Sequence, residues 1–154
     1  MREPFERIVQ AHGDAVWRVC RGLLPQHDAE DAWSETFLAA LRAWDRFEGD
    51  RVRGWLVTIA HRKALDLLRA GARTVTPEDG VPDAPVPPRG RDLDLWAALA
   101  RLPDGQRAAV VHHHLAGLPF AEVAEITGTT PAAARKAASD GVRRLRTLLV
   151  LEDA

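Results

Sequence analysis

"LPFAEVAEITGTTPAAARKAASDGVRRLR", residues 118–146, is the stretch on which the fold turns. Two helical patterns meet at Gly128, and Thr130 stands directly before Pro131. A hydroxyl that can cap, followed by a residue with fixed φ and no N–H, is a helix start. Beyond it Ala134, Ala138, Val142, Leu145 and Leu149 recur at helical spacing and predict a buried stripe, which turns Arg135, Lys136, Ser139 and Arg143 outward. Helix, short glycine-containing turn, helix is the helix-turn-helix pattern. In that motif the second helix enters the major groove with its N-terminal residues against base edges. Arginine is the usual partner of guanine and phosphate there. Ala132 and Ala133 allow close approach but read little beyond thymine methyls, and Asp140 would repel phosphate. A merely solvated amphipathic helix would show the same outward charges. The rest of the chain has to decide.

Working upstream, "DGQRAAVVHHHLAG" (104–117) predicts a helix with Asp104 as its N-cap and Gly117 as its stop. "DLDLWAALARLP" (92–103) predicts a shorter one ended by Pro103. Before these lies "GARTVTPEDGVPDAPVPPRGR" (71–91), whose five prolines and three glycines leave no helical or strand period, so it reads as a linker. Three further helices precede it. Phe5, Ile8, Val9, His12, Val16, Val19, Cys20 and Leu23 mark the face of the first. Trp33, Phe37, Ala40, Leu41 and Trp44 mark the second, which begins near Asp28. The third runs from about Arg53 to Ala70, with Trp55, Leu56, Ile59, Ala60, Leu67 and Leu68 inward and Gly71 expected to end it. The expectation is an all-α chain of two small helical domains, residues 1–71 and 92–154, joined by a Pro/Gly-rich linker over 72–91.

Composition removes several function classes. The 154 residues are 46% hydrophobic and 28% charged, as in an ordinary folded protein. No apolar run could span a bilayer, and "MREPFERIVQ" lacks the apolar core of a signal peptide, so a cytoplasmic location without membrane insertion is expected. Cys20 is the one cysteine, which excludes an internal disulfide and a CxxC pair; on an apolar face it reads as a small core residue. His112, His113 and His114 are successive helical positions 100° apart and cannot converge on one ion, so no metal is expected. His114 is expected near the core, with His112 and His113 exposed. There is no Gly-rich phosphate loop and no nucleophile with its base. A metal-dependent enzyme built on the histidines remains the contrasting hypothesis, but the sequence supports neither catalysis nor a cofactor.

Net charge is −1, yet the charge is partitioned. Residues 51–73 hold Arg51, Arg53, Arg62, Lys63, Arg69 and Arg73 against Asp66 alone, and residues 135–146 hold five cations against Asp140 alone. Cations interleaved with an aromatic, as in "RVRGWLVTIAHRKALDLLR", suit distorted or single-stranded DNA, where phosphates are neutralised and bases stack. Residues 28–35 carry Asp28, Glu30, Asp31 and Glu35 with no base, a face that suits a basic partner, although acids also favour the first turn of any helix.

Together these pieces resemble the extracytoplasmic-function group of bacterial RNA polymerase sigma factors. "DAEDAWSETFLAALRAWDRFEGD" looks like the region 2 helix that docks on polymerase, and "GWLVTIAHRKALDLLR" is similar to the stretch that opens and reads the −10 element. "LWAALARLPDGQRAAVVHHHLAGLPFAEVAEITGTT" looks like the start of region 4, the −35 reader. The resemblance implies that Asp31, Ser34 and Glu35 meet the coiled coil of the polymerase β′ subunit, with Ser34 where glutamine is common. It implies −10 contacts for Arg53, His61, Arg62, Lys63 and Arg69, with Arg62 where asparagine is frequent. It implies −35 contacts for Thr130, Arg135, Lys136, Ser139 and Arg143, while Ala137 and Asp140 stand where arginines are frequent. Core polymerase (through the β′ coiled coil and the β flap), promoter DNA and an anti-sigma factor are the implied partners. The alternative is a degenerate sigma-like co-regulator that binds the −35 element weakly and acts mainly through protein contacts.

Overall fold

The computed structural model describes residues 3–74 and 91–153, and every regular element among them is helical. The N-terminal block is formed by α1 (Phe5–Leu23), α2 (Gln26–Ala43) and α3 (Val52–Thr74), with a 3-10 turn at Trp44–Arg46. The C-terminal block is formed by α4 (Arg91–Ala100), α5 (Asp104–Val110), α6 (Phe120–Thr127) and α7 (Pro131–Asp153). Residues 75–90, most of the expected linker, lie outside the described residues.

Proline stands at the N-cap of four of these helices, and Pro131 is the first residue of α7. Pro4, Pro25, Pro103 and Pro119 sit at the N-caps of α1, α2, α5 and α6 with ψ between 140° and 158°, and no side chain caps any of the four. Their carbonyls accept from the first turn, as in Ala29 N–H to Pro25 O (2.9 Å) and Arg107 N–H to Pro103 O (2.9 Å). Asp104 is therefore not the cap of α5. It is the first helical residue, where its charge favours the positive end of the helix and faces Arg107 at 3.7 Å. Thr130 does cap α7: its Oγ1 accepts from Ala133 N–H at 3.1 Å.

In the N-terminal block the three helices pack in pairs around Ile8, Val16, Val19, Cys20, Ala29, Ala32, Phe37, Ala40, Leu56, Val57, Ala60 and Ala64. Burying a side chain such as Leu56 or Val57 contributes about 1.5–3 kcal/mol. The indole Nε1–H of Trp33 donates to Gly13 O at 2.9 Å, so this large ring packs without stranding its donor. Three expectations fail here. Leu41 is 53% exposed rather than buried, because α2 turns Ala29, Ala32, Thr36, Phe37 and Ala40 inward and Leu41 lies one residue, or 100°, past Ala40. Leu68 is 41% exposed, near the outer end of α3. Gly71 does not end α3, which continues to Thr74, since it does not adopt the left-handed conformation that stops a helix.

The C-terminal block is held by α7 lying across α4, α5 and α6. The inward stripe of α7 is Ala134, Ala138, Leu145 and Leu148, with Val142 and Leu149 half-buried. Gly141 fits directly under α5, where an added Cβ would come 2.6 Å from Val110 Cγ2. Arg107 fastens α4 to α5: its guanidinium donates to Leu99 O (2.9 Å), Ala100 O (2.8 Å) and Leu102 O (2.7 Å) at the end of α4 and in the turn after it, Leu99 O also accepting from Leu102 N–H at 3.1 Å. At its far end α5 widens into a π turn over Val111–Leu115, with Ala116 N–H reaching Val111 O at 3.0 Å, and Gly117 ends it at φ +76°. Gly128 ends α6 in the left-handed region at φ +72°, which completes the helix-turn-helix of α6 and α7.

The two blocks meet along a seam. α1 packs on α4, α5 and the π turn, and α3 packs on α6.

Candidate nucleic-acid interface

Three surfaces carry the expected binding residues. On α7, Arg135, Lys136, Ser139 and Arg143 are exposed, and Thr130 holds the start of the helix. Arg135 lies with its guanidinium 5.3 Å from the centre of the Phe120 ring, which itself stacks on His113 at 3.8 Å. The first helix of the motif thus orients the first cation of the second. Asp140 is engaged with two of the candidate contacts: Lys136 Nζ lies 3.0 Å from Oδ2, and Arg143 lies 3.8 Å from Oδ1. The reading surface is therefore a basic row with an internal acid that holds two of its cations.

On α2, Asp31, Ser34 and Glu35 are all exposed, so the face is available to a partner. Leu38 and Leu41, 51% and 53% exposed, extend the same outward side by one turn. The sequence reading missed that apolar pair by assigning Leu41 to the core. The combination of carboxylates with exposed leucines fits a partner that is both basic and apolar.

On α3 the expected set divides. Arg62 and Arg69 are exposed and Lys63 is half-buried. Arg53 and His61 instead face the C-terminal block. Arg53 donates Nε–H to His12 Nδ1 (3.2 Å), and its other nitrogens to Ala116 O (3.4 Å) and Ala11 O (3.4 Å). His12 is held below its ordinary pKa by burial and then by the Arg53 charge. His61 Nδ1 lies 3.0 Å from His112 Nε2.

That pair corrects the histidine expectation. His112 is fully buried, His113 half-buried and His114 exposed, the reverse of the predicted order. His112 lies four residues beyond buried Ala108 and next to buried Val111, and so shares their inward side at the start of the π turn, where it meets the seam. Burial first, and then the neighbouring His61, push the His112 imidazole down to about 3. It is neutral, as is His61, also lowered chiefly by burial. Nδ1 of His112 has no hydrogen-bond partner among the described residues, which favours the tautomer with its proton on Nε2, donated to His61, because a bare acceptor is less costly there than a stranded N–H.

Residues 8–74 match the family described as sigma-70 region 2, and residues 92–145 match sigma-70 region 4. The chain is 37% identical over 131 residues to the RNA polymerase sigma factor CarQ of Myxococcus xanthus, covering 79% of this chain and 74% of that one. It is 31% identical to the ECF RNA polymerase sigma factor SigE of Mycolicibacterium smegmatis, covering 94% of this chain but only 61% of that longer one. Among solved structures it superposes on the sigma factor RpoE from Bartonella quintana, in complex with the anti-sigma factor NepR, with a TM-score of 0.81 at 27% identity over 94% of this chain and 96% of that one. It also superposes on CnrH in complex with the cytosolic domain of CnrY, with a TM-score of 0.71 at 28% identity over 96% and 88%.

Proposed function

The chain belongs to the extracytoplasmic-function RNA polymerase sigma factors, and on that premise we propose that it binds core RNA polymerase and directs it to promoters, helping to open the duplex. It is an initiation factor, and the chemistry is the polymerase's. The observation that carries the reading is the outward row Arg135, Lys136, Ser139 and Arg143 on the second helix of a complete, Thr130-capped helix-turn-helix. In this reading residues 92–154 take the −35 element. Residues 1–71 dock on the β′ coiled coil through Asp31, Ser34 and Glu35, and take the −10 element through Arg53, His61, Arg62, Lys63 and Arg69. Residues 72–91 link the two. The β flap meets the C-terminal block, and an anti-sigma factor restrains the whole in the cytoplasm; the likeness to a sigma factor solved with an anti-sigma factor supports that last step. No described helix is long and apolar enough to cross a membrane. The co-regulator alternative is not favoured, since the reading motif is intact.

The test is co-elution with purified core polymerase, followed by run-off transcription from genomic fragments. Co-elution with discrete new start sites is the expected result. Failure of the folded, inhibitor-free chain to co-elute would remove the reading.

A further inference from the structure

We propose that the groove between α1 and α2 is a docking site for the outward face of α7 from a second copy of this chain, so that the free protein associates with itself head to tail. The association does not depend on the promoter-recognition reading, and the two are tested apart.

The groove is a cavity of about 530 Å³ between Val9, Gly13, Asp14 and Trp17 of α1 and Glu30 and Trp33 of α2. Its floor is aromatic and its lips are acidic. Gly13 lets the Trp33 ring lie against α1, where an added Cβ would stand 3.6 Å from Cζ2, and the indole directs its one donor to Gly13 O. Asp14 and Glu30 are exposed, and neither has an ion-pair partner among the described residues. Asp14 has an arginine one turn along its own helix, but Arg18 donates Nε–H to Leu115 O at 2.9 Å instead. Asp31 and Glu35 continue the negative charge along α2. Free carboxylates on both sides of an apolar channel fit a cation carried on an apolar stem.

The last helix supplies that chemistry. Lys136, Ser139, Arg143, Arg146 and Val150 follow one another at steps of three and four residues, and all are exposed, Val150 at 67%. They form one stripe about 20 Å long. Arg146 makes no ion pair among the described residues. A helix ridge seated between two other helices is ordinary packing geometry. Val150 and the arginine stems would cover the tryptophan floor, with the guanidiniums at Asp14 and Glu30. A chain cannot make this contact with itself. Its α7 packs through the opposite side, Ala134, Ala138, Leu145 and Leu148, onto α4, α5 and α6, the elements that meet the N-terminal block. The stripe therefore points away from its own groove.

At a net charge of −1 whole chains do not repel one another, while each carries one acidic and one basic face. Exposed ion pairs contribute little each, so charge sets the orientation and the apolar floor gives most of the affinity. Ser34 lines the groove, and Lys136 and Arg143 lie on the stripe, so an assembled chain has its proposed polymerase and DNA surfaces covered together.

Sedimentation velocity of the full chain across concentration and salt tests the contact. The expected mass exceeds the monomer value at low salt, rises with concentration, and falls back toward the monomer in about 0.5 M salt. Asp14→Lys with Glu30→Lys should lower self-association about tenfold, and so should Arg143→Glu with Arg146→Glu, because each chain then carries two faces of one sign. Mixed one to one, the two variants should associate again, each supplying the face the other lacks. All four positions are exposed, and melting curves that match the unmodified chain verify folding. Glu48→Lys with Glu125→Lys, which moves the same charge change to exposed acids off the groove, should leave association unchanged. An equal loss there overturns the docking site in favour of net charge alone. A chain that stays monomeric at low salt overturns the proposal and leaves the groove to a basic segment of another protein. Association that survives either reversal, or mixed variants that stay apart, overturns it as well. Co-elution with core polymerase tests the promoter-recognition reading separately, so either idea can fail without the other.

Discussion

Asp140 departs most from what a DNA-facing helix wants, and its contacts give its effect a sign. It holds Lys136 at 3.0 Å and Arg143 at 3.8 Å, both on the surface that would meet phosphate. As a stability element it is worth little, a few tenths of a kcal/mol for exposed pairs three and four residues apart. As a restraint on binding it matters more, because each cation released to a phosphate adds about 0.9 to the slope of log affinity against log salt. Asp140→Ala in the full chain should tighten binding to an arbitrary duplex a few-fold at low salt and steepen that slope by 1–2, read by fluorescence anisotropy across a salt series. An unchanged slope would mean that the pairs do not withhold these cations. Ser34 is a second residue with a clear direction. It is exposed beside Asp31 and Glu35, and a longer amide there should add one hydrogen bond to the polymerase contact. Ser34→Gln is expected to raise core affinity about three- to tenfold, matching the roughly 1 kcal/mol net value of such a bond, in competition with another sigma factor for core. No gain would place the contact elsewhere on α2.

Between residues, the elements show where sequence reading works and where it stops. Thr130 followed by Pro131, and the glycines at 117 and 128, were legible because capping and left-handed turns are local chemistry. The outward row on α7 was legible because α7 stays regular over its whole length. The π turn was not legible, since nothing in "VHHHL" announces an extra residue per turn, and three like residues in a row hid that His112 is the one sharing the inward side of Ala108 and Val111. Leu41 was misassigned for a similar reason, since alanines rather than large side chains mark the inner face of α2. Arg107 was also invisible, because its role depends on the open end of α4, an element it meets only through the turn at Pro103. Arg107→Ala removes a charged donor from three carbonyls, of which Leu99 O keeps Leu102 N–H, and should lower the stability of the chain by about 2–4 kcal/mol in urea melts, bonds from charged donors being worth about 1.5–3 each at most. Arg107→Lys should recover less than half of the loss, because an ammonium lacks the planar fork that reaches three acceptors at once. Equal stability of all three chains would mean that α4 is capped by other means.

For the whole molecule, any opening of the seam is expected to be linked to protonation. His61 meets His112 across it, with Arg62 beside it on α3, Leu23 of α1 apolar, and Asp104 and Arg107 of α5 lining the same cavity as an ion pair. Both imidazoles sit below their ordinary pKa when the seam is closed, His112 at about 3, and both return toward about 6.5 once it opens. The open form therefore binds more protons, so closure is fully favoured above about pH 6.5 and weakens as the pH falls below it. A protonated His61 could only donate at Nδ1, which would force His112 to accept at Nε2 and strand an N–H at its buried Nδ1. One such histidine alone lowers the closing constant about tenfold between pH 7.5 and pH 5.5. Small-angle scattering of the free chain should accordingly show the radius of gyration rising over that interval. In His112→Leu, which removes the group with the lowest pKa, the rise should flatten to whatever His61 contributes alone. A radius that stays constant down to pH 5.5 in the unmodified chain would mean that the histidine pair is not what decides whether the two readers lie together or apart.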